Sequence, residues 1–174
     1  VLLALSTVAA PHVIDGAIHF RQAADRAPSL PTSAQHRLKM WAFAVDRIAD
    51  KPILGWGLDG SRSIPQEERR LAHNVEIMPL HPHNAALQVR LELGLPGAVI
   101  AAALVFFVFR LIAGAGPTPF AGGILAAQAT AYMTVGALSY GVWQNWWIGA
   151  AWIMAGLTWM AVGPASENSV KSRG

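Results

Sequence analysis

The residues of this sequence best suited to chemistry are a histidine with the glycines that follow it, and several arginines. His83 is followed directly by Asn84, and nine residues separate Asn84 from the pair Gly94 and Gly97. An imidazole can accept a proton from a hydroxyl group near neutral pH, which makes His83 a candidate general base. Arginine keeps its charge and binds phosphate oxygens through paired hydrogen bonds, so it suits the binding and neutralisation of a phosphate group.

Among the arginines, Arg37 is the preferred candidate for this role. It borders the apolar face of a predicted helix and can therefore point inward from a membrane surface. The alternative for Arg37 is a structural ion pair with Asp46 or Asp50. Arg90 faces the same region as His83 and is a weaker candidate for substrate binding. The other arginines nearby are expected to be solvated (Arg62, Arg69 and Arg70).

Amide and indole side chains close to these motifs can bind the hydroxyls and rings of sugars. Asn84 is a candidate for substrate binding, for orienting the histidine, or for capping the start of a short helix. Gln144 lies among tryptophans with Asn145, and it contacts sugar or serves as an interfacial polar residue. Trp41, on the predicted helix of the preferred arginine, is a further candidate for substrate binding.

The sequence predicts neither a metal site nor a cofactor. His81 and His83 are separated by one residue, but no third ligand with a recognisable spacing accompanies them. No Asp-x-Asp motif or carboxylate cluster suited to Mg²⁺ is present, and the chain has no cysteine. The net charge of +3 is small and dispersed, without a long Lys/Arg run. Nucleic acid is therefore not expected as a partner.

The distribution of charge indicates which elements must position these residues. Charged residues make up 13% of the chain and hydrophobic residues 53%, whereas soluble domains contain roughly 25% charged residues. Between Asp15 and Glu92 lie 19 of the 23 Lys, Arg, Asp and Glu residues, and from Leu93 to Gly163 the only one is Arg110. This pattern predicts a membrane anchor that carries an aqueous segment.

The predicted fold class is an all-α membrane protein. Three apolar stretches, at residues 96–113, 120–137 and 142–162, are each long enough to cross a hydrocarbon core of about 30 Å. Residues 11–95 are predicted to form a large loop with amphipathic helices at about 34–50 and 83–93. The apolar face of the first of these is expected to pack on the protein or to lie at the membrane surface (Leu38, Trp41, Ala42, Val45, Ile48 and Ala49).

Basic residues beside short loops predict the orientation of these spans. Arg110 lies near a predicted hairpin at 114–119, and Lys171 and Arg173 lie in the tail of residues 164–174. Three spans place the hairpin and the tail on one side, which the basic residues indicate is cytoplasmic. The loop of residues 11–95 is then periplasmic, because loops of this length largely escape the charge rule. Val1–Ala10 is expected to be the end of a transmembrane helix whose beginning is missing.

Three motifs in the expected order resemble the bacterial O-antigen ligase and O-antigen polymerase family. They are Arg37…Trp41 with Gly55-Trp56-Gly57, His83-Asn84 with Gly94-x-x-Gly97, and the stretch YGVWQNWW that begins at Tyr140. Together they cover most of residues 35–150. The resemblance implies part of a polytopic fold of the GT-C-like type in the bacterial inner membrane, with the four glycines as structural motif residues.

The same resemblance implies a metal-independent glycosyltransferase in which His83 and Arg37 are catalytic. The implied donor is a glycan on undecaprenyl diphosphate, and the implied acceptor is lipid A–core or a growing glycan, in contact with membrane lipid. A ligase and a polymerase remain open within the family. A non-catalytic transport component would place ionisable residues inside the spans, where only Arg110 near a helix end is found. We expect the 174 residues alone to be inactive, because earlier helices and further arginines complete the site.

Overall fold

The computed structural model describes residues 20–23, 25–26, 29–70, 76–115 and 119–162. Within them lie the helices α1 (Thr32–Asp50), α2 (Ala85–Ala115), α3 (Pro119–Leu138) and α4 (Asn145–Val162), and a short 3₁₀ helix (Gly60–Arg62). The described residues form no strand, only an isolated antiparallel bridge between Arg70 and Glu76. This part of the chain is therefore all-helical, as predicted. The predicted segments Val1–Ala10 and 164–174 lie outside the described residues.

Helix α1 packs its apolar face on the protein, which is one of the two positions expected for it. Its buried side chains join others from the following loop and from the first half of α2 in one core. The members of this core are Met40, Ala42, Ala44, Val45, Ile48, Ile64, Ile77, Met78, Leu87 and Leu91. Ala49, which the periodicity placed on the same face, is exposed near the end of the helix. The loop is thus anchored to α2 by burial of apolar side chains.

Helix α2 is broken at Gly94, which has φ 63° and ψ −153° inside an otherwise helical run of 31 residues. Pro96 follows, and because it has no N–H it cannot bond the carbonyl of Glu92 four residues earlier. The N–H of Gly57 bonds this carbonyl instead, at 2.8 Å, and the N–H of Trp56 bonds that of Leu91 at 2.9 Å. The turn after α1 therefore supplies the hydrogen bonds that the kink removes.

The glycines of the two motifs make this contact sterically possible. A Cβ atom added to Gly94 would lie 2.0 Å from the carbonyl oxygen of Ile53, and one added to Gly55 would lie 2.5 Å from that of Glu92. Leu95 donates its N–H to the same Ile53 oxygen at 2.9 Å. Backbone thus packs directly on backbone, which only residues without a Cβ allow. The two glycine motifs form a single interlocked structure.

Among the described residues, Ala85–Gly114 of α2 is long and apolar enough to cross a membrane, by length and composition. Beyond the kink its large apolar side chains are exposed (Val99, Ile100, Leu104, Phe106, Phe107 and Leu111). Helices α3 and α4 lie in the other two predicted stretches and have 20 and 18 residues. Helix α4 begins at Asn145, directly after a turn in which the N–H of Gln144 donates to the carbonyl of Gly141 at 3.2 Å.

Candidate active site

The C-terminal end of α3 brings together two side chains that are far apart in sequence. Arg37 donates Nη1–H to the carbonyl oxygen of Leu138 at 2.5 Å, and Nδ1 of His83 lies 2.8 Å from the carbonyl oxygen of Ser139. The last carbonyls of a helix lack partners within it and carry partial negative charge, which favours cations and N–H donors there. The structure thus places both predicted catalytic residues at successive carbonyls.

The alternative ion pairs for Arg37 are occupied by other arginines. Asp46 pairs with Arg21, and Asp50 lies 3.1 Å from Nε of Arg47. The guanidinium of Arg37 uses Nη1 for the Leu138 carbonyl, and its remaining N–H groups can still donate to a ligand.

The contact of His83 with Ser139 decides which nitrogen of its ring can act as a base. A carbonyl oxygen only accepts hydrogen bonds, so Nδ1 of the neutral ring must carry the proton in this contact. Nε2 then holds a lone pair. This is the tautomer in which His83 can take a proton from a hydroxyl group.

The backbone around His83 is held in an unusual conformation by its neighbours. His83 has φ 50°, in the left-handed region that few residues with a Cβ adopt. Trp41 donates its indole N–H to the carbonyl of Pro82 at 2.8 Å, and the N–H of His83 lies 3.3 Å from Nδ1 of His81. Trp41, predicted to bind substrate, therefore also positions the turn that presents His83.

Asn84 and Arg90 make structural contacts with the chain itself. Asn84 accepts the N–H of Leu87 at 3.1 Å through Oδ1 and so caps the start of α2, one of the roles expected for it. Arg90 is buried and donates Nη1–H to the carbonyl of Pro52 at 2.5 Å, which ties α2 to the turn after α1. Substrate binding by either residue stays a prediction.

Glu92 is a residue that the sequence analysis did not select, and it connects three segments. Its buried carboxylate accepts hydrogen bonds from Ser61 Oγ (2.5 Å), Gln88 Nε2 (3.2 Å), the N–H of Asp59 (3.1 Å) and Trp143 Nε1 (2.5 Å). Gln88, also buried, accepts the N–H of Val142 at 3.0 Å. A sequence signal existed, because Gln88 and Glu92 are four residues apart and share one face of a mainly apolar helix.

A cleft of about 400 Å³ lies beside the turn that carries His83. Its polar lining includes Arg62, His81, Gln144 and Asn145, and the indole of Trp143 forms part of its wall. Arg62 was expected to be solvated. Its side chain is indeed exposed and pairs through Nε with Asp59 at 3.1 Å, but it also lines this cleft. Among the described residues, no group of three His, Cys, Asp or Glu side chains could hold a metal ion.

His81 is held neutral at the inner wall of this cleft. Burial, followed by the Coulombic effects of His83 and Arg62, lowers its pKa from 6.5 to about 4, against the opposing effect of Asp59. Its ring packs on Gly141, where an added Cβ would lie 2.8 Å from Cδ2 of His81. A protonated His81 would place a charge at a largely buried position, where burial disfavours the charged form.

This arrangement predicts that acid destabilises the fold through His81. In the unfolded chain His81 binds a proton below about pH 6.5, whereas in the folded chain it does so only below about pH 4. The contribution of neutral His81 to stability is therefore complete above about pH 6.5 and is progressively lost as the pH falls towards 4. Melting temperatures of the full-length protein should fall over this range, and less steeply in His81→Asn. Equal slopes for both proteins would contradict the assignment.

Comparisons with known proteins agree with the motifs. A family model described as O-antigen ligase matches residues 1–102. A Rickettsia conorii protein is 38% identical over 127 residues, 70% of this chain and 31% of the relative. A Rickettsia bellii protein is 33% identical over 147 residues, 82% of this chain and 36% of the relative. Both relatives are provisionally named polysaccharide ligases. The chain spans about a third of the length of these relatives, and no solved structure matches it.

Proposed function

The chain belongs to the O-antigen ligase family, and we propose that the protein transfers a glycan from an undecaprenyl-diphosphate donor to an acceptor hydroxyl at the periplasmic face of the membrane. The acceptor we favour is lipid A–core, as in O-antigen ligation. The observation that carries this proposal is the meeting of Arg37 and His83 at the successive carbonyls of Leu138 and Ser139. A base for the acceptor and a cation for the leaving group are thereby held at one helix end.

In the proposed reaction, Nε2 of His83 takes the proton of the acceptor hydroxyl while the acceptor oxygen bonds to the anomeric carbon of the donor sugar. The bond between that carbon and the diphosphate oxygen breaks, and the electron pair leaves with the undecaprenyl diphosphate. The N–H groups of Arg37 that are not bonded to Leu138 stabilise the charge developing on the phosphate oxygens. No metal ion takes part in these steps, because Arg37 supplies the positive charge.

We place the site at the periplasmic surface of the bacterial inner membrane. The apolar side chains exposed beyond the kink of α2 support a membrane position for that helix, and α3 and α4 are proposed to complete three spans. The loop of residues 11–95 then lies in the periplasm and the C-terminal tail in the cytoplasm. This arrangement brings an isoprenoid tail in the bilayer and a glycan in water to the same point.

Complementation of a deletion strain tests this function. The full-length wild-type gene should restore lipopolysaccharide with long glycan chains on a gel, and Arg37→Ala should fail to do so because the departing diphosphate is not neutralised. A loss of about 10²-fold or more in transfer is expected from removal of one such group. Lys39→Ala is the matched control, since it removes an exposed cation two residues away on the same helix and should restore the long chains.

The same gels separate a ligase from a polymerase. Deletion of a ligase should remove all long chains from the core while lipid-linked polymer accumulates. Deletion of a polymerase should leave core that carries single repeats. Full complementation by Arg37→Ala, at normal protein level, would contradict the proposed site whichever pattern is seen.

A further inference from the structure

The cleft beside the turn that carries His83 is lined by side chains that have no role in the proposed reaction. The mechanism employs the guanidinium of Arg37 and the ring of His83, whereas the cleft presents the indole of Trp143 and the amides of Gln144 and Asn145. Arg62 adds a guanidinium that uses only Nε for its ion pair with Asp59. Ligand pockets typically combine an apolar wall with a few polar groups of this kind.

Trp143 is fixed as a wall of the cleft. Its indole N–H is bound to the buried carboxylate of Glu92 at 2.5 Å, while 36% of the residue stays exposed. Because Glu92 also holds Ser61 and the backbone of Asp59, one carboxylate sets the position of two sides of the cleft. A ring fixed in this way presents a flat apolar surface without loss of side-chain freedom on binding.

Gln144 contributes an unsatisfied polar atom. Its Oε1 is buried without a hydrogen-bond partner in the described part of the chain, while its backbone carbonyl accepts the N–H of Trp147 at 2.9 Å. A buried polar atom of this kind is destabilising until a donor reaches it. A ligand hydroxyl in the cleft, together with a small rotation of the amide, would supply this donor.

We propose that this cleft is a carbohydrate subsite, in which a pyranose packs its C–H face on Trp143 and bonds its hydroxyls to Gln144, Asn145 and Arg62. The proposal rests on the proposed function, since it assigns the cleft to a sugar of the glycan donor or of the acceptor. Glu92 is then a positioning residue for this subsite, because it acts through Trp143 and does not touch the sugar.

Binding without turnover tests the subsite. Full-length protein carrying His83→Ala, in lipid nanodiscs, is titrated separately with two lipid-free oligosaccharides. One is the O-antigen repeat released by mild acid from its lipid diphosphate, and the other is core oligosaccharide released by mild acid from lipopolysaccharide that lacks O-antigen. Trp143→Ala should weaken binding of one of the two by about tenfold or more, as expected for removal of an aromatic anchor. The oligosaccharide that is affected shows whether the donor or the acceptor occupies the cleft.

Three further variants separate sugar binding from folding. Trp143→Phe keeps a ring but loses the bond to Glu92, and should bind more weakly than wild type and more tightly than Trp143→Ala. Asn145→Ala removes an exposed amide of the cleft and should also weaken binding at an unchanged melting temperature. Trp152→Ala removes an indole that is 75% exposed elsewhere on α4, and should bind normally.

Affinities of Trp143→Ala and Asn145→Ala within about twofold of the parent for both oligosaccharides would overturn the subsite. That result would leave the transferase proposal intact, because transfer is measured by the lipopolysaccharide gels. Conversely, normal transfer by Arg37→Ala together with the expected loss of binding in Trp143→Ala would contradict the catalytic site and retain the carbohydrate subsite.

Discussion

Replacement of His83 by alanine should lower glycan transfer by about 10²–10⁴-fold, the usual contribution of a general base. The ring is the group we propose to take the proton of the acceptor hydroxyl, and its Nε2 is the acceptor because Nδ1 is bonded to the carbonyl of Ser139. The measurement is transfer from a purified lipid-linked donor by the full-length protein in nanodiscs. Membrane insertion and melting temperature should change little, because His83 is only partly buried.

Two further variants test whether the loss of transfer is caused by the loss of the nitrogen base. His36→Ala removes a partly buried histidine from α1 and should leave the rate unchanged. His83→Asn keeps a side chain that can bond the Ser139 carbonyl but lacks a nitrogen base, so it should be as inactive as His83→Ala. A rate within about tenfold of wild type for both His83 variants would sink the assignment of this histidine as the base.

Replacement of Gly94 by alanine should lower the free energy of unfolding by roughly 4 kcal/mol or more, which is the largest effect on stability that we expect. The new Cβ would lie 2.0 Å from the carbonyl oxygen of Ile53 and 2.7 Å from the N of Gly55. These are backbone atoms and cannot turn away as a flexible side chain does. The interlocked structure would have to open, and with it the turn that bonds Leu91 and Glu92.

Substitutions at two other glycines distinguish the steric clash of a new Cβ atom from the strain of a positive φ angle. Gly57 has φ 94° but open space around it, so Gly57→Ala tests positive φ alone and should cost about 1–2 kcal/mol. Gly123 in α3 has neither feature, and Gly123→Ala should change stability by less than about 1 kcal/mol. The measurement is the order of melting temperatures in the full-length protein. A Gly94→Ala protein as stable as Gly57→Ala would contradict the interlocked structure.

Some of this structure follows from local sequence alone. The kink in α2 has a local cause, because glycine tolerates positive φ and Pro96 cannot donate to the preceding turn. The amphipathic pattern predicted α1, since apolar residues at helical spacing have one face to bury. The helices of the apolar second half were predicted from length and composition, whereas three complete spans remain a proposal.

Other contacts could not have been predicted, because their partners carry no side-chain signature. Arg37, Trp41, His83 and Arg90 all bond backbone carbonyls, and any residue supplies a carbonyl. The sequence therefore suggested carboxylate partners for Arg37, in Asp46 or Asp50, where the fold provides the end of a helix 101 residues away. Such a partner becomes visible only when α3 has been placed against α1.

The sequence by itself determined the family and the all-helical class and suggested candidate residues for the chemistry, because residue type, spacing and hydrophobic period are local properties. Only the tertiary structure decided that Arg37 and His83 meet at one helix end and that the glycine motifs interlock. It also decided that Glu92 joins three segments around a cleft. The physical reason is that these features depend on close contacts between residues that are distant in the sequence. Tertiary packing sets these contacts, and a local sequence pattern does not predict them.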